Sequence, residues 1–158
     1  MDDKNESIGV GVRKMDLNDL DDVLVIENNC FSSPWQMQAF EESIKQLHSY
    51  ILYYLSSNEI VGYFIGYGDT DDYSIYNIAI KTNYQRRGFA THLLNVIMRS
   101  HKKKYENYYL EVRKSNIKAI NLYYKLGFKT AYTRCRYYTK PDEDALVMKF
   151  TIKNRMGS

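Results

Sequence analysis

One strand–turn–helix stretch in the middle of the chain constrains its fold more than any other feature. Residues 74–80 form a short, apolar, β-prone run, and the apolar residues from Phe89 onward recur at helical spacing. Between them lies a tight basic turn over residues 84–90, which contains two arginines and a glycine. A strand, a glycine-containing turn and a helix N-terminus in this order present free backbone N–H groups to an anion. The pattern therefore predicts a phosphate-binding unit.

The turn has more than one interpretation when it is read alone. It lacks the Gly-Lys-Ser/Thr of a Walker loop and the three glycines of a dinucleotide fingerprint, which disfavours those two classes of phosphate site. If it binds phosphate, Gly88 lets the backbone approach the anion and Arg86 and Arg87 add positive charge. A pair of arginines before a glycine is equally typical of a solvated loop, so both interpretations stay open.

The whole chain is predicted to alternate between strands and helices. Ser33 is expected to cap the second helix with Pro34 at its first position, and Ser115 or Asn116 to cap a fourth helix that Gly127 ends. The first helix is predicted to start at Asp16 or Asn18 and to run to about residue 29, and the next two are predicted at residues 33–47 and 89–104. Strands are predicted at residues 10–14, 48–55, 60–67, 74–80, 108–113, 128–138 and 145–152.

Composition fits one globular domain. With 158 residues and 44% hydrophobic residues the chain can bury a core, and its net charge of +3 does not favour nucleic acid as a partner. No apolar run approaches the roughly 20 residues of a membrane span, and the N-terminus lacks a signal-peptide core. Cys30 and Cys135 are too few for a disulfide framework, which predicts reduced thiols and a cytoplasmic protein. We expect the domain to occupy residues 9–153, between a flexible N-terminus (1–8) and a C-terminal tail (154–158).

Together with the sequence downstream, the basic turn resembles the acetyl-CoA pyrophosphate loop of the GNAT N-acetyltransferase superfamily. Residues 85–90 (Gln-Arg-Arg-Gly-Phe-Ala) match its Arg/Gln-x-x-Gly-x-Gly/Ala pattern. Residues 110–128 resemble the Leu-Glu-Val-Arg-x-Ser-Asn…Ala-Ile-x-Leu-Tyr…Leu-Gly-Phe block of RimI-like ribosomal-protein alanine N-acetyltransferases, and protein N-terminal acetyltransferase catalytic subunits have a similar block. Residues 30–35 and 136–138 match two further segments, so the resemblance covers nearly the whole chain in order.

The resemblance implies an α/β fold and a co-substrate. The implied architecture is a single GNAT domain with a mixed, mostly antiparallel central sheet of about six to seven strands, flanked by about four helices. In the family, the loop binds the pyrophosphate of acetyl-CoA, and the strand before it bonds the pantetheine arm through its backbone. The cofactor-binding residues implied here are Ile78, Ile80, Gln85, Arg86, Arg87, Gly88, Phe89, Ala90, Thr91, Asn116 and Tyr123.

Two residues of the second block have catalytic roles in the family. Its glutamate, Glu111 here, is the general base toward the acceptor ammonium, and its tyrosine, Tyr123 here, is the general acid toward the leaving thiolate. A phenol with a reference pKa of about 10 holds its proton at neutral pH, which suits that role. From the residues alone, the favoured interpretation of Glu111 is an ion-pair partner for Arg113 or Arg134, and the motif around it shifts the preference to the base. Tyr124 competes with Tyr123, although helical spacing places Tyr124 in the core.

The resemblance also implies a peptide-binding groove with two aromatic walls. The implied substrate-binding residues are Phe31, Pro34 and Trp35 on one wall, Tyr137 and Tyr138 on the other, and Tyr84 near the amine. Other interpretations exist for some of them. Trp35 at a helix start is also typical of a hydrophobic staple, and Tyr84 is also explained as a loop aromatic. Glu27 is predicted to lie on a solvated helix face rather than to contact the substrate's N-terminus.

The function implied by the resemblance is acetyl transfer from acetyl-CoA to the α-amine of protein N-termini, by direct attack without an acyl-enzyme. The alternative on the same fold is acetylation of lysine side chains or of a small-molecule amine such as a polyamine. A non-catalytic acyl-CoA-binding subunit is disfavoured by the intact Glu111 and Tyr123. The expected partner is a protein N-terminal peptide, with ribosomal proteins among the candidates, and an auxiliary subunit or a weak dimer stays open. No membrane partner is expected. No metal is expected either, because the three histidines show no ligand spacing with the cysteines.

Overall fold

Strands and helices alternate along residues 3–5 and 9–152, the part of the chain that the computed structural model describes. The strands are β1 (Asp3–Asn5), β2 (Val10–Lys14), β3 (His48–Tyr54), β4 (Ile60–Asp69), β5 (Asp72–Ile80), β6 (Asn107–Arg113), β7 (Lys129–Thr139) and β8 (Asp142–Thr151). The α-helices are α1 (Leu20–Cys30), α2 (Met37–Gln46), α3 (Phe89–Ser100) and α4 (Ile117–Lys125). The described residues fall into two compact units, and β4 and β5 contribute to both.

The first unit takes residues up to 66 and residues 77–100. Its strands follow the order β1-β2-β3-β4-β5, and the pairs from β1 to β4 are antiparallel. The core of this unit includes Ile26 of α1, Phe40 of α2 and Tyr63 of β4, all at most 2% exposed. The rings of Phe40 and Tyr63 meet edge to face at 5.6 Å. The apolar faces of both helices are therefore buried in this core.

The second unit takes residues 67–76 and the residues from 101 onward. Its strands follow the order β5-β6-β8-β7, with β5 and β6 parallel and the other pairs antiparallel. Aromatic residues fill its interior: the ring of Tyr73 lies 5.0 Å from Tyr105 and 5.5 Å from Tyr108. The predicted α/β class, with a mixed, mostly antiparallel sheet and four helices, is confirmed. The described residues form eight strands where six to seven were expected.

The second helix begins later than the sequence predicted. Ser33 does not cap α2 and Pro34 is not its first residue, because the helix starts at Met37. The backbone N–H of Trp35 instead donates to the buried carboxylate of Glu27 at 3.0 Å. That bond fixes residues 31–36 outside the helix.

The later start turns Trp35 into the residue before the helix cap. Its ring lies 5.4 Å from the ring of Phe40, four positions into the helix. This is the arrangement of a hydrophobic staple, in which the residue before the cap packs on the fourth helical residue. The staple considered for Trp35 is therefore present, although the helix start is not the predicted one.

Two other boundaries test the predicted helix ends. Helix α3 ends at Ser100 rather than near residue 104, because Lys102 and Lys103 adopt left-handed backbone conformations with φ of 50° and 61°. Gly127 does end α4 as predicted, at φ 102°. Such an angle favours glycine because a side chain at Cβ would be strained there.

The ends of the chain were expected to lie outside the domain. Asp3–Asn5 instead form β1 and pair with β2, with Lys4 opposite Gly11. The remaining residues of the predicted flexible N-terminus, and the predicted tail over 154–158, lie outside the described residues. Within residues 9–152 no helix has the length and apolar character that a bilayer span requires.

Candidate active site

The predicted phosphate loop, residues 85–90, connects β5 to α3 in the first unit. Arg86 at φ 66° and Gly88 at φ 84° both take left-handed backbone conformations, and the chain reverses between them. The Gln85 side chain folds back, and its Nε2 donates to the carbonyl of Ile80 at 3.0 Å. The loop is thereby tied to the end of the strand that precedes it.

The geometry of this loop suits a pyrophosphate. A Cβ built on Gly88 would meet no other atom within 4 Å, so the space beside the glycine is open. The first turn of α3, a 12-residue helix, adds unpaired N–H groups and the positive end of the helix dipole. The side chains of Arg86 and Arg87 are exposed beside it, and Ala90 and Thr91 are half-buried in the first helical turn. These residues have the chemistry to hold the phosphates of acetyl-CoA.

The strand before the loop offers fewer backbone groups than expected. The carbonyl of Ile80 already accepts Gln85 Nε2 and, at 3.4 Å, Cys30 Sγ. Both lone pairs of that oxygen are then used. A hydrogen bond between Ile80 and the pantetheine arm would therefore have to use the N–H group of Ile80. Burial raises the pKa of the Cys30 thiol, which keeps it protonated as a donor. The backbone of Ile78 remains a predicted pantetheine contact.

Tyr84, the residue just before the loop, is engaged with a carboxylate. Its hydroxyl donates to the two carboxylate oxygens of Glu59 at 2.7 and 2.8 Å. Its ring lies 5.3 Å from the ring of Tyr54, and the guanidinium carbon of Arg87 lies 5.4 Å from its centroid. The bond to Glu59 raises the pKa of Tyr84. A phenol that ionises less readily is a poorer proton relay, so these contacts favour the loop-aromatic interpretation.

The predicted acceptor wall of the first unit comprises Phe31, Pro34 and Trp35, between α1 and α2. All three side chains are half-buried, and Phe31 and Trp35 pack against the core of this unit. A shallow groove along α2 is lined by Pro34 and Trp35, together with Gln38 and Glu42 of the helix. Packing on the core therefore orders Phe31 and Trp35, while Pro34 and Trp35 line the groove.

Glu27 is the largest departure from the sequence prediction in this unit. It was expected on a solvated helix face, but it is only 2% exposed. Its Oε1 accepts the backbone N–H of Trp35 at 3.0 Å, and its Oε2 accepts the hydroxyl of Tyr63 and, at 2.9 Å, Nδ2 of Asn77. The spacing contained a signal that was missed: Glu27 lies four residues after Val23, on the apolar face of α1.

The predicted base Glu111 lies in β6 of the second unit. Its side chain is 29% exposed, and its Oε1 lies 3.4 Å from Nε of Arg134. Arg113 pairs with Glu143 instead, also at 3.4 Å. The ion pair considered for Glu111 is thus present, with Arg134 and not with Arg113. The carboxylate therefore keeps partial access to solvent.

Two tyrosines of β7 gather beside Glu111. Neighbouring residues of a regular strand point to opposite faces, but the β7–β8 register shifts between Arg134 and Tyr138. The bulge contains Arg136 at φ 52°. It brings the rings of Tyr137 and Tyr138 within 5.1 Å of each other. Burial raises the pKa of Tyr137, and burial together with the Glu111 charge raises the pKa of Tyr138 to about 12.

Tyr123, the predicted acid, is buried by the end of its own helix. Gly127 N–H bonds the Tyr124 carbonyl at 3.0 Å, and Phe128 N–H bonds the Tyr123 carbonyl at 2.9 Å, which together form a Schellman motif. The rings of Tyr123 and Phe128 lie 5.8 Å apart. Tyr123 is 8% exposed and Tyr124 is 47% exposed, so the expectation that Tyr124 packs in the core is wrong. Burial, with a contribution from Tyr138, raises the pKa of Tyr123 to about 12.

Asn116 forms the cap of α4. Its Oδ1 accepts the backbone N–H of Ala119 at 3.3 Å. The predicted bond to the pantetheine arm would therefore use its Nδ2 group. Among residues 9–152, no three His, Cys, Asp or Glu side chains come together in a way that could hold a metal ion.

Comparison with known proteins places this geometry among acetyltransferases. Residues 20–128 match the model of the acetyltransferase (GNAT) family. The ribosomal protein bS18-alanine N-acetyltransferase of Escherichia coli (strain K12) is 32% identical over 145 residues, which are 89% of this chain and 97% of that protein. An N-alpha-acetyltransferase of Sulfurisphaera tokodaii is 32% identical over 151 residues, 87% of this chain and 90% of that protein.

The similarity extends to solved structures. The crystal structure of the ribosomal-protein-S18-alanine N-acetyltransferase from Escherichia coli superposes with a TM-score of 0.81 at 28% identity. The match covers 92% of this chain and 97% of that one. Both the sequence and the fold are thus similar over almost the full length of that enzyme.

Proposed function

The chain belongs to the GNAT acetyltransferase family, and on that premise we propose that it transfers the acetyl group of acetyl-CoA to the α-amine of protein N-termini. The observation that carries this proposal is the agreement between its relatives. A bacterial enzyme named for alanine on a ribosomal protein and an archaeal enzyme named for α-amines both align with nearly the whole chain. The two names share one acceptor chemistry, the free amine at the start of a protein.

The first chemical requirement is a neutral amine. An ammonium group has no lone pair with which to attack a carbonyl, so a base must take its proton. We assign this role to Glu111, which stands on a strand and is partly open to solvent. Arg134 pairs with the same carboxylate at 3.4 Å, and Tyr137 and Tyr138 lie close enough to feel its charge. Acetyl-CoA, when bound, supplies the acetyl thioester, and no acyl-enzyme is required.

The second requirement is stabilisation of the departing thiolate, which we assign to Tyr123. Its pKa of about 12 means that it is fully protonated at neutral pH. An ordinary thiol has a pKa of about 8.5, so a complete proton transfer from this phenol to a thiolate is uphill. Tyr123 is therefore better suited to donate a strong hydrogen bond to the sulfur than to lose its proton.

Binding is assigned to backbone and aromatic groups. The loop over residues 85–90 binds the pyrophosphate of acetyl-CoA. Asn116 and the backbone of Ile78 bind its pantetheine arm. Contact with the acceptor peptide is assigned to Phe31, Pro34 and Trp35 of the first unit, and to Tyr137 and Tyr138 of the second unit. The finer expectations belong to the same proposal: a ribosomal protein as substrate, action in the cytoplasm, and an auxiliary subunit or a weak dimer.

The proposal is tested by acetyl transfer to a panel of short peptides. Each peptide is offered with a free α-amine, and again with that amine blocked and a lysine present. We expect transfer to the free N-termini alone, and the ranking of first residues will separate an alanine specialist from a broad enzyme. Transfer to the blocked, lysine-bearing peptides or to polyamines would overturn the proposed acceptor.

A further inference from the structure

The first unit contains a buried carboxylate that none of the assigned chemical steps uses. Glu27 of α1 is 2% exposed, and each of its oxygens accepts from neutral donors: the backbone N–H of Trp35, the hydroxyl of Tyr63 and the amide of Asn77. A buried carboxylate without such donors would be strongly destabilising. The three bonds therefore make this a satisfied network with one preferred arrangement.

The network joins the predicted acceptor wall to the rigid part of the unit. Tyr63 lies in β4 and is fully buried, and Asn77 lies in β5 and is 8% exposed. Trp35 lies in the irregular segment between α1 and α2. Of the three partners, only Trp35 is outside regular structure, so the carboxylate ties a loop backbone to two strands.

The same bond decides where the second helix starts. With its N–H directed to Glu27, Trp35 stands one residue before the cap of α2 and packs on Phe40 at 5.4 Å. Without that acceptor, Trp35 would leave a partly buried donor unpaired or move to satisfy it. The position of the Trp35 ring therefore depends on Glu27.

We infer that Glu27 is a positioning residue for the acceptor peptide: it sets the wall formed by Phe31, Pro34 and Trp35 through its bond to the Trp35 backbone. This inference rests on the proposed function, because it assumes that the wall contacts the acceptor. It assigns Glu27 no contact with substrate and no proton transfer. Its consequence is specific: perturbing Glu27 changes affinity for the peptide far more than affinity for acetyl-CoA, because the carboxylate bonds the Trp35 backbone directly but reaches the predicted pantetheine strand only through the side chain of Asn77.

Glu27→Gln is the first test. The amide oxygen can still accept from Trp35, but its NH₂ group then faces the NH₂ group of Asn77, and two donors cannot bond each other. We expect the KM for the best peptide to rise about 5- to 20-fold, with kcat changed less than about threefold and the KM for acetyl-CoA within about twofold. The double variant Glu27→Gln with Asn77→Asp restores a donor–acceptor pair and should recover most of the peptide KM.

Asp19→Asn is the matched control. Asp19 is also a buried carboxylate of the first unit, 5% exposed, and accepts from Arg13 at 2.9 Å. It lies just before α1, at the end away from Trp35. We expect this variant to lower the melting temperature and leave both KM values within about twofold of wild type.

The outcomes separate the two ideas. If wild-type enzyme acetylates no free N-terminus, the proposed function fails regardless of Glu27. If wild type is active but Glu27→Gln only lowers the melting temperature, with an unchanged peptide KM, the positioning role is overturned. An equal rise in the KM values for peptide and acetyl-CoA would overturn the positioning role as well. So would a similar rise in the peptide KM of Asp19→Asn, because either result indicates that the substitution destabilises the whole unit and not the wall alone.

Discussion

The two units of this protein contain carboxylates in opposite environments. Glu27 in the first unit is 2% exposed and bonded to three neutral donors. Glu111 in the second has a side chain that is 29% exposed, next to a cation and two tyrosines. The first environment fixes one arrangement, whereas the second leaves the carboxylate partly open to solvent. In the proposed mechanism the first unit contributes a fixed backbone network that supports binding, and the second contributes the proposed base Glu111 and acid Tyr123 together with the binding tyrosines Tyr137 and Tyr138.

The largest effect is expected in the second unit. Glu111→Gln should lower kcat about 10²- to 10⁴-fold, as the loss of a general base does, while the affinity for acetyl-CoA stays unchanged. Steady-state kinetics and titration calorimetry with CoA measure the two quantities. Glu106→Gln is the control, because Glu106 is an exposed carboxylate just before the same strand. Unchanged turnover in Glu111→Gln would remove the base role from this residue.

The next largest effect is expected on CoA binding by the first unit. Gly88→Val should weaken CoA binding about 10- to 100-fold, because a β-branched residue is strained at φ 84° and its side chain occupies the open space beside the loop. Gly9→Val is the control for strain alone: Gly9 has φ 69°, and a Cβ there also meets no atom within 4 Å. If both variants bind CoA equally well, the loop is not the pyrophosphate site.

A smaller loss of turnover is expected for Tyr123→Phe. The phenyl ring keeps the packing on Phe128, while the hydrogen bond to the leaving sulfur is lost, so kcat should fall about 10- to 100-fold. Tyr124→Phe removes the hydroxyl of an exposed neighbour and should leave kcat within about twofold. Single-turnover measurements separate the chemical step from product release. Equal rates for the two variants would contradict the assignment of Tyr123.

The smallest expected effect concerns the pH dependence of the wild-type enzyme, whose kcat should not fall at moderately alkaline pH. The active form of Tyr123 is protonated, and its pKa is raised to about 12, so the protonated fraction stays near one well past pH 10. At saturating substrate, kcat should therefore form a plateau between about pH 8.5 and 10.5. A fall with an apparent pKa near 9 or 10 would show that the essential acid is another group.

Much of the site was predictable because local patterns specify it. The backbone of the candidate loop was predictable, because only particular backbone angles connect a strand, a glycine turn and a helix, and its role in binding phosphate stays a prediction. The Gly127 ending of α4 was predictable for the same reason, and it accounts for the burial of Tyr123. The resemblance of the second block to RimI-like enzymes selected Glu111 before any contact was known, and its role as the base stays a prediction. Each of these features depends on residues close together in the chain.

What the sequence did not reveal depends on contacts between distant residues. Glu27 was expected in solvent because a carboxylate is costly to bury, and only Tyr63 and Asn77, 36 and 50 positions away, offset that cost. The bond of Glu27 to Trp35 then displaced the predicted helix start. The pairing of Tyr137 with Tyr138 likewise required a bulge that regular strand alternation does not predict. Sequence determined the class of fold and the strand–turn–helix order of the candidate loop, and the tertiary structure decided which polar groups are buried, because burial is set by partners that no local pattern names.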